Sequence, residues 1–300
     1  MSDEVKLNDV SNSFDNRSID APTIRYSAES EISNPGKLIG GMLRDFSSGR
    51  ELAWRLFMRN LRGLYRQTVL GLFWAFLPPI VNTAFWVFLR EADVFDTGKM
   101  PINSTIFILT SMIFWQAFIE AFQMPMDVIN KNRNMISKLN FPRESLLMVG
   151  FGEVLFNFMI RTLLLVPACL WFQFMPPATV ALMPIAALGL IFVGMGWGLI
   201  LMPIGALYQD VGRFIGLATP FWMILTPVVY MPLMTFPGSL LNWINPASPL
   251  LILARDWTLI GSTTHPTAAI IYGIASVALL LIGLVVYRVS IPVLVERMTA

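Results

Sequence analysis

Charge is the scarcest property of this sequence. Lys, Arg, Asp and Glu make up 13% of its 300 residues, against about 25% in a soluble globular domain. So little polar surface cannot cover a water-facing globule of this length, which excludes an ordinary soluble enzyme. Cysteine occurs once, at Cys169, so neither an intrachain disulfide nor a Cys-cluster zinc site can form. Histidine occurs once, at His265 beside Pro266. A His-rich metal centre, a zincin motif and a Ser/His/Asp arrangement are therefore excluded. Neither a G-x-x-x-x-G-K-[ST] phosphate loop nor a G-x-S-x-G nucleophile elbow occurs. The formal net charge of +2 is too weak to argue for nucleic acid. No catalytic residue and no metal ligand set is expected.

What the chain does have is long apolar runs. Hydrophobic residues make up 55% of it. Crossing a bilayer takes about 20 such residues, and six stretches qualify: Val69–Leu89, Thr105–Phe122, Leu146–Phe172, Ala178–Ala206, Phe214–Met234 and Ala268–Tyr287. The expected fold is an all-α membrane protein with six transmembrane helices. Pro167, Pro184 and Pro203 give the third and fourth spans places to kink. The Ser- and Asn-rich segment 1–34 reads as a disordered cytoplasmic tail without a secretory signal, and 289–300 as a cytoplasmic C-terminal tail. Six spans put both termini on one side. That side carries 17 of the 21 Lys and Arg, the other side carries Arg90, Lys99 and Arg255, and Arg161 lies inside a span. By the positive-inside rule both termini are cytoplasmic, in an inner or cytoplasmic membrane.

Three segments outside the spans carry patterns. In the 35–68 region, Arg55, Arg59, Arg62 and Arg66 recur every three or four residues and share one stripe of a helix. Ala53, Phe57, Leu61 and Leu64 fall opposite, which predicts an amphipathic helix in the membrane interface. A lipid anchor and a partner-binding helix both fit that pattern. The 123–145 loop, with DVINKNRNMISKLNFPRE, predicts a short amphipathic helix that ends at Phe141-Pro142. It is either a connector or a docking element. Between the fifth and sixth spans, Ser239–Ile244 and Pro249–Ile260 are apolar but too short to cross. They predict short re-entrant helices at the outer face, where such backbone needs protein or a water-filled cavity around it.

Within the spans, Glu120, Glu153 and Arg161 are costly and are expected to face a bundle interior or an aqueous cavity. Glu153 and Arg161 lie about 80° apart around the helix and about 12 Å along it, so they do not pair directly. Trp115, Phe118 and Phe122 share one face of the second span. By position alone such rings read as interface-belt residues, and stacking on a sugar is the other reading.

At Arg62–Pro79, RGLYRQTVLGLFWAFLPP, the sequence resembles the membrane subunit of type 2 ATP-binding-cassette polysaccharide exporters, which carry a Y-[RK]-Q-[ST]-x-L-G-x-x-W element. Tyr65, Arg66, Gln67, Thr68, Leu70, Gly71 and Trp74 match it. The resemblance continues through MIFWQAFIEAF and through NRNMISKLNFPRE, where Asn134, Ile136, Lys138, Phe141, Pro142 and Arg143 match. It runs on through YQDVGRF, TPVVYMP and NPASPLLILARD, and so covers about Arg50 to Arg297. Two positions depart from the family pattern: Gln209 replaces a common arginine, and Asn157 stands where an acidic residue is frequent.

The resemblance implies a permease that forms a channel as a homodimer over two separate ATPase subunits, exporting a lipid-linked or lipid-terminated polysaccharide such as an O-antigen, a capsule chain or a teichoic acid. It would need no cofactor of its own, Mg-ATP being held by the partner. Periplasmic or outer-membrane export components are further implied partners. Asp127, Asn130, Lys131, Asn132 and Arg133 would form the coupling helix, with Asp210 and Arg213 as a second ATPase contact. Arg55, Arg59, Arg62 and Arg66 would attract a phosphate or pyrophosphate head group. Trp115, Phe118, Phe122, Arg161 and Tyr230 would line the glycan path, and Asn245, Pro246, Arg255 and Asp256 would belong to an outer gate. A drug or small-lipid exporter of the same superfamily, an intramembrane glycan-synthesis enzyme and a passive channel are the competing readings.

Overall fold

The computed structural model describes residues 35–66, 73–94, 100–138, 141–232, 235–236, 238–262 and 266–299. The 1–34 tail, the first residues of the expected first span and residues 139–140 of the expected coupling loop lie outside these. Every regular element among the described residues is helical. In chain order they are α1 (Pro35–Arg66), α2 (Phe73–Glu91), α3 (Ser104–Lys131), α4 (Arg133–Lys138), α5 (Glu144–Thr162), α6 (Leu165–Trp171), α7 (Met183–Leu207), α8 (Gln209–Leu225), α9 (Gly238–Ile244), α10 (Ser248–Arg255) and α11 (Pro266–Thr299). A 3-10 turn, Ala178–Leu182, leads into α7, and a π turn, Asp256–Ile260, follows α10.

Among the described residues, five helical segments are long and apolar enough to cross a membrane: Phe73–Glu91, Ser104–Lys131, Glu144–Trp171, Ala178–Leu207 and Ile270–Arg297. The expected fifth span, Phe214–Met234, departs most from its prediction. Its helix, α8, starts earlier, at Gln209, and stops at Leu225 after 17 residues. Thr226 to Val229 continue as buried non-helical chain. The expected second span is longer than read, because α3 stays helical past Phe122 to Lys131 through Pro125. Asn103 caps its start, its side chain accepting from the Thr105 amide. Pro167 lacks the N–H that would reach Leu163 and crowds that carbonyl, and the helix is broken between Thr162 and Leu165. Pro184 sits in the first turn of α7, where proline costs little.

Interior helices are α3 and α7, and the reason is glycine. In lipid there is no hydrophobic drive between helices, so close backbone packing at small residues takes its place. A Cβ on Gly194 would lie 2.5 Å from the Phe118 carbonyl oxygen, and one on Gly198 would collide with the Phe122 carbonyl. On the other side of α7, a Cβ on Gly196 would lie 2.8 Å from Leu279 Cγ of α11, and one on Gly283 would lie 2.9 Å from the Gly196 carbonyl oxygen. The central helix thus touches backbone on both flanks.

Two ends of the bundle are fixed by polar contacts. At one, Arg288 of α11 donates to Glu144 of α5 at 2.7 Å and to Asp45 of α1 at 3.0 Å. The Tyr287 hydroxyl donates to the Arg143 carbonyl at 2.9 Å, and Arg133 donates to the Ala206 carbonyl. At the other, the Thr179 hydroxyl donates to the Trp257 carbonyl at 2.7 Å, and Arg255 donates to the Pro227 carbonyl at 2.7 Å. The helix α8 leaves the first end beside Ala206 and reaches the second at Thr226.

The glycine packing makes a sharp prediction. Gly198→Val puts two methyl groups into the Phe122 backbone, so the yield of detergent-stable protein is expected to collapse. Gly216→Ala, where a Cβ meets nothing within 4 Å, is expected to leave yield and thermal midpoint unchanged or slightly raised, since Ala favours helix by about 1 kcal/mol. Size-exclusion profiles of the two variants check this.

Candidate functional site

One face of α3 stays polar along a helix that is otherwise buried. Gln116, Glu120, Gln123, Asp127 and Lys131 fall within an arc of about 80° at the helical repeat. Among the described residues, hollows open along this stripe. A cleft of about 640 Å³ lies between α1, α3 and α5, with Arg59, Asn60, Asp127, Lys131, Glu153 and Asn157 among its walls. A second, of about 330 Å³, lies further along α3 and is walled by Asn82, Trp115, Gln116, Arg161 and Thr219. A third, of about 250 Å³, lies between α3, α7 and α8 at Gln123, Asp127, Asn130 and Gly212. Hollows of a few hundred Å³ with a few polar groups are the usual shape of a ligand site.

Glu120 is the wall that the two larger clefts share. Arg161 of α5 grips it with two donors, at 2.7 and 2.9 Å, and Asn157 donates a third bond at 3.0 Å. The Arg161 side chain is 10% exposed and that of Glu120 is 32% exposed. Arg161 therefore finds its partner on another helix, as a costly intramembrane charge must. The same geometry explains the asparagine at 157: a carboxylate there would face the Glu120 carboxylate. Glu153 also pairs across helices, accepting from Asn60 of α1 at 2.8 Å.

The aromatic row occupies a different face of α3. Trp222 of α8 sets its ring edge-on to Trp115, Phe118 and Phe122, with centroids 6.0, 5.1 and 5.5 Å away. Each such contact adds about 0.5–1.5 kcal/mol beyond burial. Phe118 and Phe122 are buried among protein, whereas Trp115 also lines the 330 Å³ cleft. The Tyr230 hydroxyl donates to the Ile224 carbonyl at 3.1 Å.

Trp222 links the cluster to the segment beyond α8. Its indole N–H donates to the Asn245 side-chain oxygen at 3.1 Å, and the Asn245 amide donates to the Thr226 hydroxyl at 2.7 Å. Pro246 follows in the turn before α10. Arg255 is fully enclosed, its guanidinium 4.2 Å from the centre of the Phe107 ring. Burial lowers its pKa to about 10 while the neighbouring Asp256 works against that shift, so it stays a cation at neutral pH. Asp256 is buried beside it.

At the Lys131 end, Asp127, Asn130 and Lys131 form the exposed last turn of α3, and they are not on the short helix that follows. The Asn132 amide folds back onto the Val128 carbonyl at 2.8 Å and marks the break before α4. Arg133 points inward to Ala206. Asp210 and Arg213 are both exposed and paired at 3.3 Å on the first turns of α8. On α1, Arg55 pairs with Glu51 at 2.6 Å on the exposed face, Arg59 bonds its neighbour Asn60, and Arg62 is exposed. The Arg66 side chain lies outside the described parts. Ala53 and Leu56 bury the opposite face, and Phe57 packs on Gly152 of α5.

The aromatic cluster yields a prediction. Phe118→Ala empties a fully buried site, at a cost of about 3–5 kcal/mol, and is expected to lower the thermal midpoint in detergent clearly. Trp54→Ala, at a ring that is 60% exposed, is expected to leave the midpoint near wild type. Equal midpoints for the two variants would contradict this packing.

Comparison with known proteins adds to the geometry. Residues 51–255 match the family described as ABC-2 type transporter. The chain is 23% identical over 238 residues to an O-antigen export system permease protein RfbA of Klebsiella pneumoniae, covering 77% of this chain and 88% of that protein. It is 25% identical over 214 residues to an O-antigen export system permease protein RfbA of Myxococcus xanthus, covering 70% of this chain and 81% of that protein. With the match running from within α1 to the end of α10, the chain belongs to the ABC-2 type transporter family.

Proposed function

We propose that this chain is the permease subunit of an ATP-driven exporter that moves a lipid-linked or lipid-terminated polysaccharide out of the cytoplasm. The observation that carries the reading is the polar face of α3, flanked by clefts inside an otherwise apolar bundle. The relatives named as O-antigen export permeases support the choice of cargo. In this reading α8 together with Thr226–Val229 makes the sixth crossing, since its two ends contact opposite ends of the bundle. Both termini then lie in the cytoplasm of an inner-membrane protein, with the Lys131 end facing inward, as the positive-inside rule requires.

Two copies form the channel, and each docks on one phosphate-loop ATPase that holds Mg-ATP. The exposed turn Asp127–Lys131, with Asn132 and the Asp210–Arg213 pair beside it, is the docking surface. Arg133 acts differently: it ties α4 to α7, so a push on α4 reaches the central helix. Closure of the ATPases then moves the helices as rigid bodies. The stripe Arg55, Arg59, Arg62 and Arg66 attracts the anionic head group of the lipid carrier. Sugar rings pass Trp115, and the Asn245–Pro246 turn with Arg255 and Asp256 forms the outer closure. Tyr230 follows, by three residues, the Pro227 carbonyl that Arg255 holds.

The test uses the complex purified from its host. A phosphate-loop ATPase is expected to copurify with the tagged chain. Lys131→Glu combined with Asn130→Ala should keep the chain in the membrane yet reduce both ATPase copurification and export at least tenfold. Unchanged export with both substitutions, or the absence of any ATPase from the wild-type complex, contradicts the reading.

A further inference from the structure

The two larger clefts along α3 are separate because of one cluster of side chains. The lower cleft reaches Glu120 and Asn157, and the upper cleft reaches Glu120 and Arg161. The three bonds among these residues therefore lie across the line that would join the two hollows. Nothing else polar crosses between α3 and α5 at this level among the described residues. Above the cluster are Gln116 and Trp115; below it are Met124 and Asp127.

We infer that Glu120, Asn157 and Arg161 form a partition that closes the path along α3 and that opens by exchanging its hydrogen bonds with a neutral, hydroxyl-rich chain. The argument is one of compensation. Splitting a buried ion pair without replacement leaves two uncompensated charges and is strongly disfavoured. A guest can split the cluster only by supplying donors to Glu120 and acceptors to Arg161 and Asn157 together. Hydroxyl groups are both donor and acceptor. An acyl chain supplies neither, so the partition rejects the lipid tail. A polyanion supplies acceptors only and is repelled by Glu120. These three residues are thus positioning and specificity-determining groups rather than catalytic ones. The existence of the partition stands on the clefts alone; its selectivity for hydroxyls rests on the exporter reading.

Gln116 lines the upper cleft, which makes it the reporter. With Cys169→Ser as background, Gln116→Cys is treated with a membrane-impermeant maleimide in inside-out vesicles containing the whole complex. With the cluster intact, modification is expected to be slow. Adding Glu120→Ala should raise its rate by about tenfold or more, since losing a buried pair shifts the closed–open balance by at least that factor. The exchanged pair Glu120→Arg with Arg161→Glu should restore protection, which a merely misfolded variant cannot do. Equal labelling in all three backgrounds overturns the partition. In the export assay, Asn157→Asp is expected to slow the transport of a neutral glycan while leaving copurification of the ATPase unchanged. Normal export with that variant overturns the selectivity. A wild-type complex that exports no glycan removes the exporter reading and leaves the labelling result standing.

Discussion

The helices α3 and α7 lie with backbone against backbone, and the remaining architecture takes its position from that closeness. Gly194 and Gly198 admit the carbonyls of Phe118 and Phe122 where any side chain would collide. Between apolar helices in lipid only packing and polar contacts decide association. The approach therefore orients α3, and orienting α3 decides which of its faces is left over. The aromatic face turns to Trp222, and the polar face turns to the clefts. A bulky residue in α7 would thus displace a stripe of side chains that it never touches.

Among the described residues, Glu120, Glu153, Arg161, Arg255 and Arg288 are each answered by a group on another part of the bundle. Arg288 holds α1, α5 and α11 together at the Lys131 end. Glu120 and Arg161 join α3 to α5 in the middle, and Arg255 braces the segment around Pro227 at the far end. Buried pairs contribute little net stability, yet breaking one leaves a stranded charge and costs about 3–5 kcal/mol. Such links therefore resist partial opening. The three levels lie toward the two ends and the middle of α3 as a whole, Arg255 meeting the Phe107 ring near its start.

Much of this was legible in the sequence, because it rests on local period and composition. The stripe Arg55, Arg59 and Arg62 follows from a spacing of three and four, and the short apolar runs after residue 235 correspond to α9 and α10. The full length of α3 was not legible. Hydropathy falls after Phe122, which reads as a loop, yet Met124, Met126, Val128 and Ile129 are buried and keep the helix going. The short α8 was hidden for the opposite reason, since Thr226–Val229 is apolar but leaves the helix. The pairing of Glu120 with Arg161 spans 41 positions, and no local spacing signals such a contact. The roles of Gly194 and Gly198 depend on which helix lies opposite, a fact that a single sequence does not carry.

If the polar face of α3 lines the path of an exported chain, as proposed above, the two sides of the bundle must differ in what they touch during export. Photoreactive amino acids at Gln116 and at Ile270, an exposed position on α11, compare the two faces directly in a complex stalled during export. Saccharide is expected to be captured at Gln116, and lipid alone at Ile270. Saccharide captured at Ile270, or at neither position, would contradict that proposal.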